Sequence, residues 1–365
     1  GLVIRGIPVL ELTERLPEEV FYLLLTGELP TPAELEDLQQ ELRARAVVPA
    51  YVWKALEALP HDTHPMCLLN TAILAMQGES VFARRFNEGM GKAQYWEATL
   101  EDALNIVSKF PALAAGVFRL RYRYGRMIPS DPTLDWASDY VRMLGLKDPR
   151  EETTRLMRLN LVLHCDHESG NVSALTAATV NSALSDLYYS VSAGLNGLAG
   201  PLHGLANQEC LNWILKVKKD FGGVPSDAVL RQFAWDTLKS GRVIPGYGHA
   251  VLRITDPRFT ALLNFGKKFC ADDPVFSLVE KCFRLVPEVL KEQGKAKDPW
   301  PNVDAVSGSL LYHYDLVETS YYTVLFSVSR VLGIAAQAVI NRALDGPLIR
   351  PKSVTTAWLQ QTVGA

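Results

Sequence analysis

A histidine placed just before a helical segment is the first feature of this sequence that could do chemistry. In GPLHGLANQE, residues 200–209, His203 precedes apolar residues at helical spacing, which predicts a helix that begins at or just after it. The positive end of that helix, together with burial, would keep the imidazole neutral. A neutral imidazole can donate a hydrogen bond to a carbonyl, although a core histidine beside a turn would give the same pattern.

Two further segments carry side chains suited to acid–base work. His249 follows a Gly-Tyr-Gly turn within residues 242–258, where the glycines would let the backbone approach a ligand closely. Asp304 lies among apolar and small residues within 300–308, where burial would raise its pKa and make it a stronger base. An aspartate that only caps a helix or a turn would show the same spacing.

The segment HCDHESGN, residues 164–171, is the one cluster that suggests a metal. His164 and His167 stand at i and i+3 and can share a helix face, with Asp166 and Glu168 beside them. The HExxH order is absent, and no third histidine lies close by. A metal-dependent hydrolase is therefore an alternative and not the leading interpretation.

Three arginines stand in apolar or turn contexts and could bind a small di- or tricarboxylate. They are Arg258, Arg330 and Arg350. Their planar forks of donors suit carboxylates, and a buried guanidinium needs an anionic partner. Internal pairing with acids such as Glu318 or Asp345 is the alternative for each of them.

Helical periodicity dominates the elements that must hold these side chains. Apolar residues recur at three- and four-residue spacing, strand signals are sparse, and Pro32 and Ser226 stand where helices should begin. The sequence therefore predicts an all-α fold. The clearest helical segments are 32–47, 99–125, 150–168 and 174–198.

Two segments are too apolar to be surface helices. Residues 169–200 carry almost no charge, so a helix there must be buried, at the centre of a helical layer or, slightly favoured, at a subunit interface. Residues 321–340 are long enough to span a membrane, but Arg330 in their middle favours a core helix. Residues 291–304, with Lys, Gly and Pro, predict a loop.

The composition bounds the function classes. The 365 residues are 48% hydrophobic and 21% charged with a net charge of −3, so there is no basic field to attract nucleic acid or an anionic membrane. The five cysteines are scattered without a CxxC pair, which favours buried thiols in a reducing compartment over disulfides.

Taken together, these segments resemble the citrate synthase family, closest to its mitochondrial type. The resemblance runs in the family's order from about residue 6 to residue 353. It rests on HPMCLLNTAI, LHCDHESGNVSALT, NGLAGPLHGLANQE, SGRVIPGYGHAVLRITDPR, EQGKAKDPWPNVDAVSGSLL, YYTVLFSVSRVLG and RPKS.

The resemblance implies an architecture and a reaction. It implies a helical homodimer with a large domain of residues 1–203 and 310–365 and a smaller, mobile domain of residues 204–309 that closes over substrate. The implied enzyme condenses acetyl-CoA with oxaloacetate and hydrolyses citryl-CoA to citrate and CoA. It implies no metal or other cofactor.

The resemblance also assigns roles to individual residues. Asp304 matches the base that removes a methyl proton from acetyl-CoA, His203 the donor that stabilises the enol, and His249 the group that hydrogen-bonds the oxaloacetate carbonyl. The residues that match carboxylate ligands are His167, Arg258, Arg330 and Arg350. Arg350 is expected to come from the other subunit, so each active site would be shared.

For CoA, the resemblance implies a backbone turn and three lysines. The residues of the turn, which match the family's adenine-binding backbone, are Val243, Ile244, Pro245, Gly246, Tyr247 and Gly248. Lys295 and Lys297 fall where the family's loop approaches the CoA phosphates. Lys92 stands where mitochondrial relatives carry an arginine, and a lysine keeps the charge but loses the fork of donors.

The chain departs from the family pattern in a few places. Ser169 replaces a usual glycine and Val306 a usual histidine, and neither is a residue given a role here. The pattern starts inside the family's, so we expect its N-terminal arm to lie outside this sequence. A 2-methylcitrate synthase that uses propionyl-CoA is the nearest alternative, since one methylene changes selectivity by only about 1–3 kcal/mol. The mitochondrial matrix is the implied location.

Overall fold

A computed structural model describes residues 2–167, 170–249 and 252–363. Within this part of the chain the all-α prediction is confirmed, because its strands are the two short ones of a hairpin, β1 (Val3–Ile4) and β2 (Ile7–Pro8), beside one isolated bridge between Tyr247 and Pro301. The helices are α1 (Pro17–Thr26), α2 (Pro32–Ala44), α3 (Ala50–Glu57), α4 (Pro65–Ala75), α5 (Val81–Asn87), α6 (Tyr95–Tyr122), α7 (Trp136–Leu144), α8 (Glu152–His164), α9 (Val172–Ser182), α10 (Leu187–Leu198), α11 (Ala206–Asp220), α12 (Asp227–Lys239), α13 (Pro257–Phe269), α14 (Pro274–Gln293), α15 (Asp304–His313), α16 (Tyr322–Ala343) and α17 (Thr356–Val363).

The helix starts expected from the sequence are confirmed. Thr31 caps α2 by accepting from Glu34 N, and Pro32 is its first residue. Ser226 caps α12 by accepting from Val229 N. Residues whose side chains satisfy free N–H groups thus set these boundaries.

The apolar segment 169–200 forms two helices, not one. Helix α9 ends at Ser182, Leu184 has a positive φ of 63°, and Asp186 then caps α10 through Tyr188 N and Tyr189 N. The capping carboxylate and the left-handed residue interrupt a pattern whose apolar periodicity continues across the turn. Glu168 and Ser169 lie outside the described residues.

Three helical segments of the described chain are long and apolar enough, by length and composition, to cross a membrane. They are Pro65–Asn87, Lys92–Tyr122 and Thr319–Ala343. The most apolar window of the third is 83% buried inside the protein. It contains α16, which packs on α6, α1, α10 and α8, as expected for a core helix.

Helices α11 to α15 pack mainly on one another. Helix α15 contacts α11, α13 and α14, and α12 contacts α14, while α13 and α15 also touch α8. The division into domains at 204 and 309 stays a prediction, and its second boundary falls within α15. The loop predicted over 291–304 begins after Gln293, because α14 continues to that residue and ends at the left-handed Gly294.

The prediction that the cysteines are buried thiols is wrong for one of them. All five are free, and Cys165, Cys210, Cys270 and Cys282 are buried, but Cys67 is exposed. Cys67 lies on α4, where the apolar pattern of the sequence continues onto the outer face of the helix.

Candidate active site

Asp304 is the first residue of α15. Its backbone N–H donates to Asn302 Oδ1 at 3.0 Å, and the preceding Val303 N–H donates to Asp256 Oδ2 at 3.2 Å. Burial raises the pKa of the Asp304 carboxyl to about 6, Arg258 opposes that shift and Asp256 adds to it. A carboxyl with this pKa is a base poised near neutral pH.

His203 lies in the turn that precedes α11, which begins at Ala206, so the predicted helix start is confirmed. Its Nε2 lies 2.9 Å from Ser173 Oγ, and its ring packs edge-on against Phe326 at 5.7 Å. Burial lowers the pKa of His203 to about 4, with a further contribution from the Arg330 charge. The imidazole is therefore neutral at pH 7. Through Ser173 it contacts the first turn of α9.

His249 and His167 face each other across the site, with their ring centroids 6.2 Å apart. Burial, followed by the charge of Arg258, lowers the pKa of both rings. His249 Nδ1 accepts a hydrogen bond from Leu252 N at 3.0 Å. A neutral imidazole that accepts at Nδ1 carries its proton on Nε2 and is a donor there.

Arg330 is a buried cation on α16, with only 1% of its surface exposed. Its guanidinium donates to His164 O at 3.1 Å, Asn171 Oδ1 at 3.0 Å and Ser173 Oγ at 3.2 Å. No carboxylate of the described residues forms an ion pair with it. Burial lowers its pKa to about 10, and the charge of Asp166 opposes that shift. A carboxylate ligand would add the direct ion pair that the described residues do not give this arginine.

Arg258 differs from Arg330 because it has an internal partner. Its Nη2 lies 2.7 Å from Asp256 Oδ2, and both side chains are buried. The charge of Arg258 lowers the pKa of His167, His249 and Asp304. One guanidinium thus acts on three of the predicted site residues, which places them in a common electrostatic neighbourhood.

The predicted turn of residues 243–248 packs against the segment that leads into α15. Gly248 N donates to Trp300 O and Asn302 N donates to Gly246 O, both at 2.9 Å. Gly246 has a φ of 80°, and a Cβ there would lie 2.8 Å from Ala305 Cα. Only glycine fits at this position, so the turn and the start of α15 form one unit.

Four predicted cationic residues are exposed in the single chain. Lys295 and Lys297 are exposed in the loop after α14, and Arg350 is exposed in the segment after α16. Lys92 is also exposed, and its Nζ lies 2.6 Å from Asp345. Asp345, which the sequence offered as a possible partner of an arginine, therefore pairs with Lys92.

The HCDHESGN segment gives no metal-binding cluster in the described residues. No group of three His, Cys, Asp or Glu side chains there is placed to hold an ion. His164 Nδ1 hydrogen-bonds Asn160 O at 2.8 Å, and burial lowers the pKa of this ring to about 3. His164 thus belongs to the core, whereas His167 faces the site.

Sequence reasoning missed three polar residues of the site, namely Asn171, Ser173 and Asp256. Asn171 caps α9 and accepts from Arg330, and Ser173 contacts both Arg330 and His203. Asp256 caps α13, and the dipeptide Asp-Pro before a helical pattern was a visible signal for a cap. Nothing local to Ser173 distinguishes it from the other serines of this Ser-rich segment.

Comparisons with known proteins all point in one direction. A family model described as "Citrate synthase, C-terminal domain" matches residues 1–352. Proteins named mitochondrial citrate synthase from Xiphias gladius and Kajikia audax are 52% and 51% identical over 353 residues, 96% of this chain and 75% of each relative.

Solved structures agree. Citrate synthase from Pyrobaculum aerophilum matches with a TM-score of 0.84 and 28% identity, over 96% of this chain and 86% of that one. The ternary complex of carboxymethyl coenzyme A and oxaloacetate with the Thermoplasma acidophilum enzyme matches with a TM-score of 0.79 and 25% identity, over 96% and 88%.

Proposed function

The chain belongs to the citrate synthase family and is an acyltransferase of that type, and we propose that Asp304, His203 and His249 carry out its chemistry. The reaction joins acetyl-CoA to oxaloacetate and hydrolyses the resulting citryl-CoA, so that acetyl-CoA, oxaloacetate and water give citrate and CoA. Two acid–base problems must be solved: a weakly acidic methyl group must lose a proton, and a ketone must become electrophilic.

The observation that carries this proposal is a pair of opposite pKa shifts. Burial raises the pKa of Asp304 to about 6 and lowers that of His203 to about 4, so one group accepts protons near pH 7 while the other stays a neutral donor. Asp304 takes the methyl proton, and the His203 N–H stabilises the enolate oxygen that forms. A neutral donor matched to the enol avoids full proton transfer to a weak base.

Oxaloacetate is held by its charges and activated at its ketone. Arg330 supplies a buried cation, hydrogen-bonded to neutral acceptors, for one carboxylate, and Arg258 and His167 complete the ligand set with Arg350 of a second subunit. His249 donates from Nε2 to the ketone oxygen, which makes the ketone carbon electrophilic toward the enol. The neighbouring Thermoplasma structure, which by its title contains oxaloacetate, supports this substrate.

The CoA portion binds to the unit formed by residues 243–248 and the start of α15. The turn receives the adenine, and its packing against the start of α15 brings the bound CoA towards Asp304. Lys295 and Lys297 are exposed on a loop that can approach the phosphates. Lys92 is a weaker candidate, because Asp345 already neutralises it.

Several features of the whole enzyme follow from the family. We expect a homodimer with shared sites, a small domain of residues 204–309 that closes over substrate, and catalysis without a metal or other cofactor. The relatives named mitochondrial suggest a mitochondrial location, and we assign the enzyme to the matrix. Binding to nucleic acid or insertion in a membrane forms no part of this function.

The alternatives make different measurable predictions. The relatives named above are citrate synthases, so 2-methylcitrate synthase is not favoured. The decisive experiment compares kcat/KM for acetyl-CoA and propionyl-CoA on one preparation, with oxaloacetate present and CoA release followed by its thiol. A higher value for propionyl-CoA would overturn the substrate assignment, and inactivation by EDTA that zinc reverses would favour a metal-dependent hydrolase.

A further inference from the structure

Asp256 is a buried carboxylate to which the roles above give no part. It is 1% exposed and caps α13, where its Oδ1 accepts from Arg258 N at 2.9 Å. The same carboxylate accepts from Arg258 Nε at 3.1 Å and from Arg258 Nη2 at 2.7 Å. Backbone and side chain of the arginine are thus held by one group, which fixes the direction of the guanidinium.

A further hydrogen bond of Asp256 reaches the residue before the base. Val303 N donates to Asp256 Oδ2 at 3.2 Å across 47 positions of sequence, and Asp304 follows as the first residue of α15. The oxygen that receives Val303 N is also the one that receives Arg258 Nη2. A shift of this oxygen would therefore move the arginine and the start of α15 together.

We propose that Asp256 is a positioning residue that sets the orientation of Arg258 and the placement of Asp304 through one carboxylate. The proposal rests on the roles given above to Arg258 as a carboxylate ligand and Asp304 as the base. In this arrangement one carboxylate orients both the arginine that binds oxaloacetate and the base that acts on acetyl-CoA. A small misplacement of reacting groups lowers the rate by up to about a hundredfold, so loss of these contacts should have a measurable effect on kcat.

The negative charge of Asp256 gives the proposal a signature that packing alone would not produce. Asp256 raises the pKa of Asp304, while Arg258 lowers it. The neighbouring helices add three titratable groups that burial keeps neutral, since it raises the pKa of the thiols and lowers that of the imidazole. These groups are Cys210 of α11, Cys282 of α14 and His164 of α8.

The test replaces Asp256 by asparagine, which also caps helices well but carries no charge. For Asp256→Asn we expect kcat to fall by about tenfold to a hundredfold, because the guanidinium and the start of α15 lose their common charged support. We also expect the acid limb of kcat/KM to move to lower pH. The acid limb moves to lower pH because the neutral amide no longer raises the pKa of Asp304, and the base is then deprotonated at lower pH.

Asp273→Asn is a matched control. Asp273 also caps a helix that begins with proline, and it accepts from Val275 N and Phe276 N at 2.8 Å each. It lies beside His313, at the far end of α15 from Asp304. This variant should keep the acid limb and nearly all of kcat, while its loss in melting temperature reports the cost of a weakened cap.

Two results would overturn the proposal. One is an Asp256→Asn enzyme with the kcat and acid limb of Asp273→Asn; the other is a kcat loss with no movement of the acid limb, which would indicate a structural role only. If the asparagine variant does not fold, Asp256→Glu decides: it keeps the charge, so the limb should stay in place while kcat falls, and an undiminished kcat refutes the positioning role. The assignment of the base is tested separately, because Asp304→Asn remains inactive whether or not Asp256 has this function.

Discussion

The Nε2 atom of His203 lies 2.9 Å from the hydroxyl of Ser173, and the same hydroxyl accepts from Arg330 at 3.2 Å. Ser173 therefore connects the proposed enol donor to a proposed carboxylate ligand. If the hydroxyl gives its single proton to Nε2, the neutral ring carries its own proton on Nδ1, which then is the donor for the acyl carbonyl. Ser173 would fix the tautomer as well as the ring.

Replacing Ser173 by alanine should therefore lower kcat more than it raises KM. We expect a loss of about tenfold to a hundredfold in kcat, because the ring is no longer held in one orientation and tautomer. Steady-state kinetics with both substrates varied would measure the split. Ser190→Ala is the control, since Ser190 is equally buried and, among the described residues, its hydroxyl donates to the carbonyl of Asp186 at the start of its own helix. An equal loss there would contradict the role of Ser173.

Asp304→Asn should abolish condensation while oxaloacetate still binds. The amide cannot accept the methyl proton, and loss of a general base costs about 10²- to 10⁴-fold. Oxaloacetate is held by other groups, so calorimetric titration should give nearly the wild-type affinity. Turnover close to that of the wild type would refute the assignment of the base.

The wild-type enzyme should show an acid limb in kcat/KM near pH 6, the raised pKa of Asp304. Activity should fall as pH drops through this value, because the base becomes protonated. His203 should add no limb between pH 5 and 9 since its pKa lies near 4. A rate that stays level from pH 7 down to pH 5 would contradict the raised pKa.

Helical periodicity and capping residues predicted much of the fold. The helix predicted over residues 32–47 ends at Ala44, with Arg45 as its C-cap, so only the end of α2 was wrong. Ser226 caps α12 as expected. The break between α9 and α10 was missed because the apolar pattern continues across it. The spacing of apolar residues predicts which helix faces are buried, but a turn fixed by one capping aspartate does not change that spacing.

The candidate site was only partly visible for a related reason. Asp304 stands out as an acid among apolar and small residues and His203 as a histidine just before a helix, and burial shifts the pKa of both as expected. His249 was marked by the Gly-Tyr-Gly turn before it. Ser173 contacts Arg330 across 157 positions of sequence, and Asp256 reaches Val303 across 47 in addition to its neighbour Arg258. The long-range contacts are created by folding, so the Asp-Pro dipeptide predicts only a helix cap at Asp256, and nothing local distinguishes Ser173.

Glu18 provides a prediction about stability. It is 2% exposed, its Oε1 accepts from Trp136 N and Gln39 Nε2, and its Oε2 has no hydrogen-bond partner in the described structure. Burial raises its pKa above the usual value, so the fold favours the neutral acid. That contribution to the free energy of unfolding is present at low pH and is lost as pH rises through the raised pKa.

Glu18→Gln should therefore raise the melting temperature at pH 8 and leave it almost unchanged at pH 4. Glutamine keeps an acceptor for both donors but never ionises. Thermal unfolding at the two pH values measures the difference. Glu36→Gln is the control, because Glu36 is exposed and its Oε1 accepts from Gln40 Nε2 at 3.0 Å and from Arg43 Nη1 at 3.4 Å. A similar gain there, or no gain for Glu18→Gln at pH 8, would contradict the explanation.

Sharing of the active site between subunits leads to the last prediction. Arg350 is exposed in the segment that follows α16. A segment of this kind can cross a two-fold axis and complete the site of a second copy. Arg350→Ala should therefore be nearly inactive, because loss of a buried charge contact costs about 2–5 kcal/mol.

Mixed dimers distinguish this arrangement from a site completed within one chain. If Arg350 serves the partner, a heterodimer of Arg350→Ala and Asp304→Ala has one site that lacks both groups and one that keeps both. Co-refolded mixtures should then recover about half of the wild-type activity per heterodimer, whereas each homodimer stays inactive. If Arg350 serves its own chain, each site of the heterodimer lacks one group, and activity stays absent. Native mass spectrometry must confirm the heterodimer, and absence of recovery in confirmed heterodimers would refute the shared site.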